Sequence, residues 1–181
     1  MSADSVIPVS VNTPQIVGIG GFPDKPLFDY VLSLARGPRI LFDRTASPQL
    51  EDTAFHVPTT PLSFYPWPPG DLRELALSHD VILVGGGNTA NMLAVWRTHG
   101  FDAILREAWQ SGVLLTGWSA GMICWFEAGV TDSYGPQLEG MRDGLGFLPG
   151  SGCPHYDGEE RRRPMYTRLV RDGFPAGIAL L

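Results

Sequence analysis

The sequence alternates short apolar runs with amphipathic stretches. Four runs predict strands buried on both faces, because they do not alternate with polar residues: Gln15–Ile19, Arg39–Phe42, Val81–Val84 and Val113–Thr116. Four stretches predict helices: Pro26–Ala35, Asp71–Ser78, Ala90–Thr98 and Asp102–Ser111. This order predicts an α/β fold with a mostly parallel sheet and helices on both of its faces.

The regular pattern ends near Phe126, where a glycine- and proline-rich stretch begins. We interpret this stretch as one long irregular loop, of a kind that is usually functional or partly disordered. A last helix is predicted near Met165–Arg171 and a short strand at Ala176–Leu181. The chain is expected to form one domain, 1–181, whose final strands are cut short.

Two glycine-rich stretches lie at the carboxyl ends of predicted strands, where open parallel sheets bind their ligands. In "VLLTGWSAGM", Ser119 stands between Gly117 and Gly121 at the passage from strand to helix. Such a turn exposes a serine and points the next N–H group, that of Ala120, into the same space. The pattern is typical of an acyl-transfer nucleophile, although an ordinary tight turn explains it equally well.

The second stretch, "VILVGGGNTANML", ends a strand in three glycines. Gly87 could supply another backbone N–H to a substrate oxyanion. A helix-capping turn and a phosphate cradle are the alternatives. No Walker lysine follows and the spacing is not G-x-G-x-x-G, so nucleotide binding is disfavoured.

A nucleophilic serine needs a base, and His155 in "GCPHYDGEE" is the best placed of four histidines. The other three, His56, His79 and His99, are expected on the surface or at helix ends. The acid that orients His155 could be Asp132 or the nearer Asp157. A metal site built from His155, Asp157, Glu159 and Glu160 is the competing hypothesis. It is disfavoured because no second histidine or cysteine set completes a known spacing, and we expect neither metal nor cofactor.

Composition narrows the class of protein further. A net charge of −6 argues against a nucleic-acid-binding surface, and 44% hydrophobic residues indicate a globular chain. Two cysteines suggest no disulfide framework, so we expect a cytoplasmic protein. The N-terminus has no signal-peptide pattern and no apolar run reaches about 18 residues, so no membrane partner is expected.

Four stretches together carry a family resemblance: "VILVGGGNTANMLAVWRTHG", "GWSAGMICWFEAGVTDSYG", "DGLGFLPGSGCPHYDGEERRRP" and "FPAGIAL". In combination they resemble the peptidase E family of aspartyl dipeptidases, with cyanophycinase as a more distant relative. The resemblance implies a three-layer α/β/α sandwich like that of class I glutamine amidotransferases, with serine in place of the nucleophilic cysteine. It also implies site residues: nucleophile Ser119, base His155, acid Asp132, and oxyanion donors Gly87 and Ala120 with Asn88 close by.

Two departures from the family pattern affect these expectations. Relatives continue beyond a "GIAL"-like strand into an acidic segment, so an acid beyond Leu181 is a further candidate to orient His155. The stretch Asp43–Leu62 is also shorter than in the family, and a helix is expected to be missing from it.

The resemblance to aspartyl dipeptidases also implies a cationic pocket for a substrate aspartate. Arg161, Arg162 and Arg163, which follow His155, could supply it, because arginine is suited to binding carboxylates. A solvated loop, with the arginines paired to neighbouring glutamates, explains them equally well. We therefore expect a serine exopeptidase or dipeptidase acting on short peptides, with Asp-X specificity as one option. A broader peptidase, another amidase or esterase, and a non-catalytic binder stay as alternatives, and a homodimer stays open.

Overall fold

A five-stranded parallel sheet leads into four of the predicted site residues, Gly87, Asn88, Ser119 and Ala120. The computed structural model describes residues 13–47 and 55–180. The strands of this sheet are β1 Ile16–Ile19, β2 Ile40–Asp43, β3 Thr60–Leu62, β4 Val81–Val84 and β5 Leu114–Trp118. Their order is β1-β5-β4-β2-β3, and every neighbouring pair is parallel. The four predicted strands are confirmed to within one or two residues, and β3 is an addition that the pattern did not predict.

Helices cover both faces of this sheet. They are α1 Lys25–Ser33, α2 Leu72–Leu77, α3 Thr89–Thr98 and α4 Phe101–Gln110. Val81 and Leu83 of β4 belong to the apolar cluster that includes Val31 of α1. The alternate residues, Ile82 and Val84, belong to the cluster that includes side chains of α2, α3 and α4. The predicted α/β sandwich with a mostly parallel sheet is therefore confirmed.

The stretch after Phe126 forms a second sheet, so the prediction of one long irregular loop is wrong. Its strands are β6 Phe126–Thr131, β7 Glu139–Met141, β8 Leu148–Cys153 and β9 Gly177–Ala179. Their order is β7-β6-β8-β9, with β7 antiparallel to β6 and the other pairs parallel. The strands are short, rich in glycine and interrupted by a register shift between Phe126 and Ala128, which hides the usual apolar signal.

One short helix, α5 Ala120–Ile123, packs against strands of both sheets. Its Met122 lies between them, because a Cβ placed on Gly18 of β1 would be 3.0 Å from Met122 Cγ and one on Gly152 of β8 would be 3.3 Å from Met122 Cε. The last helix, α6 Arg162–Arg171, covers the second sheet, where Tyr166 packs with Val130 and Cys153. The residue before α5, Ser119, therefore lies where the two sheets meet.

Several expectations lie partly outside the described residues. Residues 48–54 belong to the stretch Asp43–Leu62 that was expected to be short, and the N-terminal residues 1–12 and Leu181 are likewise not described. Within the described part of the chain, no helix combines the length and the apolar character needed to cross a bilayer.

The contact between α5 and β4 leads to a stability prediction. A Cβ on Gly121 would lie 2.2 Å from the carbonyl oxygen of Val84, and backbone cannot yield as a flexible side chain can. We expect Gly121→Ala to lower the free energy of unfolding by about 3 kcal/mol, measured by urea denaturation. The control is Gly70→Ala, because a Cβ on Gly70 would meet no atom within 4 Å. Equal stability of the two variants would contradict the packing described here.

Candidate active site

The backbone of Ser119 has a conformation that residues other than glycine rarely adopt. Its φ is 54° and its ψ is −110°, at the point where β5 ends and α5 begins. Holding such a residue costs on the order of 1–3 kcal/mol, which the surrounding structure must offset. The Ser119 N–H donates to the carbonyl of Ile19 at 3.2 Å. A Cβ on Gly117 would be 2.4 Å from the Val84 carbonyl oxygen. Close packing therefore requires a glycine at position 117, two residues before the serine.

The helix after Ser119 is only four residues long. Its dipole is correspondingly small, so the first N–H group of the helix is the main feature that can stabilise negative charge at Ser119. Among the described residues, no acceptor binds the Ala120 N–H. That donor is available to a ligand at Ser119.

A cavity of about 370 Å³ brings together most of the predicted site residues. It is lined by Gly87, Asn88, Ser119, Asp132, His155, Glu159 and Arg162. Six of these residues come from four connections, β4–α3, β5–α5, β6–β7 and β8–α6, and Arg162 is the first residue of α6. Ala120 is buried directly behind Ser119, while Arg161 and Arg163 lie outside the cavity lining.

The loop between β4 and α3 presents the Gly87 N–H without an acceptor among the described residues. Gly87 has φ 137°, and a Cβ there would lie 2.3 Å from the carbonyl oxygen of Ala46. The next residue, Asn88, is held by hydrogen bonds of both its backbone and its side chain. Its N–H donates to Ala46 at 2.9 Å, its Oδ1 caps α3 by accepting from Asn91, and its Nδ2 donates to the carbonyl of Ser133. Asn88 therefore shapes the cavity wall.

His155 also has a left-handed backbone, with φ 53°. Its N–H donates to the carbonyl of Gly20 at 3.3 Å, and Gly21 lies beside the ring, where a Cβ would be 3.6 Å from Nδ1. Within the described residues the imidazole makes no hydrogen bond. Burial lowers the pKa of His155, and Arg162 acts in the same direction, while Glu159 and Asp132 oppose the shift.

Glu159 lines the cavity beside His155, although the sequence analysis considered it only as part of a metal site. It lies one helical turn after His155, to whose carbonyl its N–H donates at 3.0 Å. Its Oε2 accepts from Nε of Arg162 at 2.7 Å, and Nη1 of Arg162 donates to the Val130 carbonyl at 2.8 Å. Burial alone would raise the pKa of Glu159, but the hydrogen bond and charge of Arg162 hold it below its usual range. The sequence signal that could have identified Glu159 is its spacing, four residues after His155 and three before Arg162, which places the three residues on one side of a helical turn.

The two acids proposed from the sequence occupy different positions. Asp132 follows β6, is exposed, and lines the cavity. Asp157 instead forms an ion pair with Arg163, whose guanidinium lies 5.0 Å from the centre of the Tyr156 ring. Asp132 is therefore the better placed of the two.

The three consecutive arginines point to three different environments. Arg162 is 3% exposed and lines the cavity, whereas Arg163 pairs with Asp157 on the surface. Arg161 donates to the Pro136 carbonyl at 3.2 Å and lines a separate hollow of about 720 Å³. The arginines do not act as one cluster.

The other histidines serve local structure, as expected. His79 bonds through Nδ1 to the Leu75 carbonyl at the end of α2, His99 ends α3, and His56 pairs with Asp29. In residues 13–47 and 55–180, no three acidic, histidine or cysteine side chains are grouped as a metal ion would require.

Comparison with known proteins identifies the class of protein that carries this fold and cavity as a peptidase. The family model for peptidase family S51 matches residues 48–180. The chain is also 47% identical over 174 residues to the uncharacterized peptidase YgaJ of Bacillus subtilis (strain 168), covering 87% of this chain and 74% of that protein. The protein therefore belongs to peptidase family S51, and the resemblance seen in the sequence is confirmed.

Two crystal structures share the fold. A Listeria monocytogenes EGD-e protein named after peptidase E matches with a TM-score of 0.64 and 23% identity, covering 87% of this chain and 86% of that one. A peptidase from an acI-B1 Actinobacterium matches with a TM-score of 0.53 and 17% identity, covering 78% and 68%. At these identities the likeness concerns the fold alone.

Proposed function

We propose that this peptidase is a serine peptidase that hydrolyses short peptides through an acyl-enzyme on Ser119. The observation that carries the proposal is the strained, partly exposed Ser119, which shares one small cavity with His155. A backbone cost of this kind is retained where it presents a functional group. A nucleophilic serine with a neighbouring imidazole is the arrangement that acyl transfer needs.

In the proposed reaction, Ser119 Oγ attacks the substrate carbonyl while His155 takes the hydroxyl proton. The imidazolium then gives this proton to the leaving amine, and water, deprotonated by the same imidazole, hydrolyses the acyl-enzyme. The free N–H groups of Gly87 and Ala120 stabilise the oxyanion of each tetrahedral intermediate. The lowered pKa of His155 keeps the imidazole neutral, as a base must be, at neutral pH.

We propose Asp132 as the acid that orients His155. It lines the cavity, and no ion pair or side-chain hydrogen bond within the described residues occupies its carboxylate. Glu159 is the alternative, because its charge affects His155 more strongly than that of Asp132. Its carboxylate, however, is already bound to Arg162.

We propose a preference for an N-terminal acidic residue, with Arg162 as its receptor. Nε and Nη1 of Arg162 are engaged, but Nη2 has no hydrogen-bond partner among the described residues and is not a buried orphan. An arginine donor at the cavity suits a carboxylate. A broader dipeptidase is the second candidate, favoured by the ion pair with Glu159, which partly neutralises Arg162.

Covalent labelling and hydrolysis test the nucleophile. We expect a serine-directed phosphonate to label the wild type on Ser119, and Ser119→Ala to lose both labelling and about 10⁴-fold or more in kcat. The substrates are Asp-Leu, Ala-Leu and Leu-Leu, with release of leucine as the readout. An ester and a free amide measured beside them separate a peptidase from another acyl hydrolase. Unchanged hydrolysis in Ser119→Ala would refute the mechanism.

The pH dependence of kcat/KM tests the base and its acid. Since His155 must be neutral, activity is present above its pKa, which burial lowers from the ordinary range of a histidine, and is lost as the pH falls through that pKa. Both carboxylates favour the imidazolium, so Asp132→Asn and Glu159→Gln should each move this limb to lower pH. We expect only Asp132→Asn to lower kcat by about 10²-fold or more. The reverse ranking of the two variants would make Glu159 the orienting acid.

A ratio of substrates tests the role of Arg162. Arg162→Lys keeps the charge but loses the forked donors, so the ratio of kcat/KM for Asp-Leu over Ala-Leu should fall about tenfold. The ratio is independent of the fraction of folded enzyme. Arg161→Lys, outside the cavity, is the matched control and should leave the ratio unchanged. Equal ratios in wild type and Arg162→Lys would favour the broader dipeptidase.

A further inference from the structure

We propose that Asp43, a carboxylate buried behind the candidate site, is a positioning residue that holds the Gly87 N–H in place to receive the oxyanion. This inference rests on the proposed function, because it concerns a donor to the acyl-transfer intermediate. Asp43 does not line the cavity, and neither the sequence pattern nor the proposed mechanism assigns it a role.

Asp43 is held by three hydrogen bonds at the carboxyl end of β2. Its Oδ1 accepts from the N–H of Thr45 at 2.8 Å and from Oγ1 of Thr45 at 2.5 Å, and its Oδ2 accepts from Nε1 of Trp96 at 2.7 Å. The side chain has no exposed surface. Two of the three bonds close the turn that begins at Asp43, so this carboxylate determines the course of the chain after β2.

That turn contacts both ends of the loop that presents Gly87. The carbonyl of Asp43 accepts from the N–H of Gly85 at 2.9 Å, and the carbonyl of Ala46 accepts from the N–H of Asn88 at 2.9 Å. The Ala46 carbonyl also lies against Gly87, where a Cβ would be only 2.3 Å from its oxygen. Because Gly85 and Asn88, the first and last residues of this loop, are bound to Asp43 and Ala46, the Gly87 peptide has little freedom to turn its N–H away from the cavity.

Burying a carboxylate to close a turn inside a protein costs desolvation free energy. Burial raises the pKa of Asp43 to about 6, although its three hydrogen bonds favour the charged form. A charged group in such a place is retained where its directional bonds serve a purpose that apolar packing cannot. Here the purpose we infer is precision at the Gly87 amide, since displaced oxyanion donors lose most of their effect.

The experiment compares Asp43→Asn, Thr45→Val and Thr45→Ser with the wild type at pH 8, where Asp43 is ionised. The asparagine nitrogen cannot accept a hydrogen bond, and valine lacks the hydroxyl donor of Thr45, whereas serine retains it. We expect Asp43→Asn and Thr45→Val to lower kcat by about 10- to 100-fold with KM within about twofold. Affinity for a peptide aldehyde, which forms a tetrahedral adduct, should fall in parallel. Thr45→Ser should restore most of the activity.

Asp80→Asn is the matched control for a purely structural effect. Asp80 is also a buried carboxylate beside β2 and β4, but it lies at their opposite ends, where it binds Arg36 and Arg39. It should lower the melting temperature and leave kcat within about twofold. Amide hydrogen exchange at Asn88, measured without substrate, should accelerate about tenfold or more in Asp43→Asn and not in Asp80→Asn.

The outcomes separate this inference from the proposed function. An active wild type whose Asp43→Asn and Thr45→Val variants keep their kcat overturns the positioning role. So does a loss of kcat in Asp80→Asn equal to that in Asp43→Asn. A wild type that is neither labelled at Ser119 nor active on any peptide overturns the proposed function itself.

Discussion

The geometry of the candidate site depends on close contacts with the carbonyl group of Val84, at the end of β4. Gly117 and Gly121, on either side of Ser119, both approach the Val84 carbonyl too closely for a Cβ. Because β4 and β5 are neighbouring parallel strands, the β5–α5 turn is pressed against the end of β4. Ser119 is held at φ 54° between these two contacts. The strain at the serine is thus offset by packing that extends through the centre of the sheet.

Two buried aspartates, Asp80 and Asp43, lie at opposite ends of β2 and β4, and only Asp43 lies at the end near the candidate site. Asp80, before β4, is bound by two arginines and joins the connections at the amino ends of the strands. Asp43, at the carboxyl end of β2, accepts hydrogen bonds from the neutral donors Thr45 and Trp96 and begins the turn that contacts the Gly87 loop. The hydrogen bonds of Arg39 lower the pKa of Asp80, whereas burial raises that of Asp43. An aspartate carboxylate is therefore stabilised in its charged form at the amino ends of these strands and destabilised in that form at their carboxyl ends.

Much of the first sheet could be predicted from the sequence, because its strands are continuous apolar runs with helices between them. Val81–Val84 was predicted to the residue. The second sheet escaped prediction, since Gly129, Gly140 and Gly152 occupy places where strands usually carry β-branched residues. Glu159 escaped for another reason. Its importance comes from Arg162, whose guanidinium is buried by β6, a strand that the pattern did not predict.

By itself, the sequence determined the parallel sheet, the glycine-flanked serine and the glycine loop, because local periodicity and turn chemistry depend on near neighbours. It also determined the family, through motifs spread along the chain. Only the tertiary structure decided which charged residues share the cavity. Arg161, Arg162 and Arg163 are consecutive, yet of these three only Arg162 lines the cavity that Ser119 and His155 also line. Likewise, the bonds from Asp43 to Gly85 and from Ala46 to Asn88 join residues far apart in sequence, which only the parallel pairing of β2 with β4 brings together.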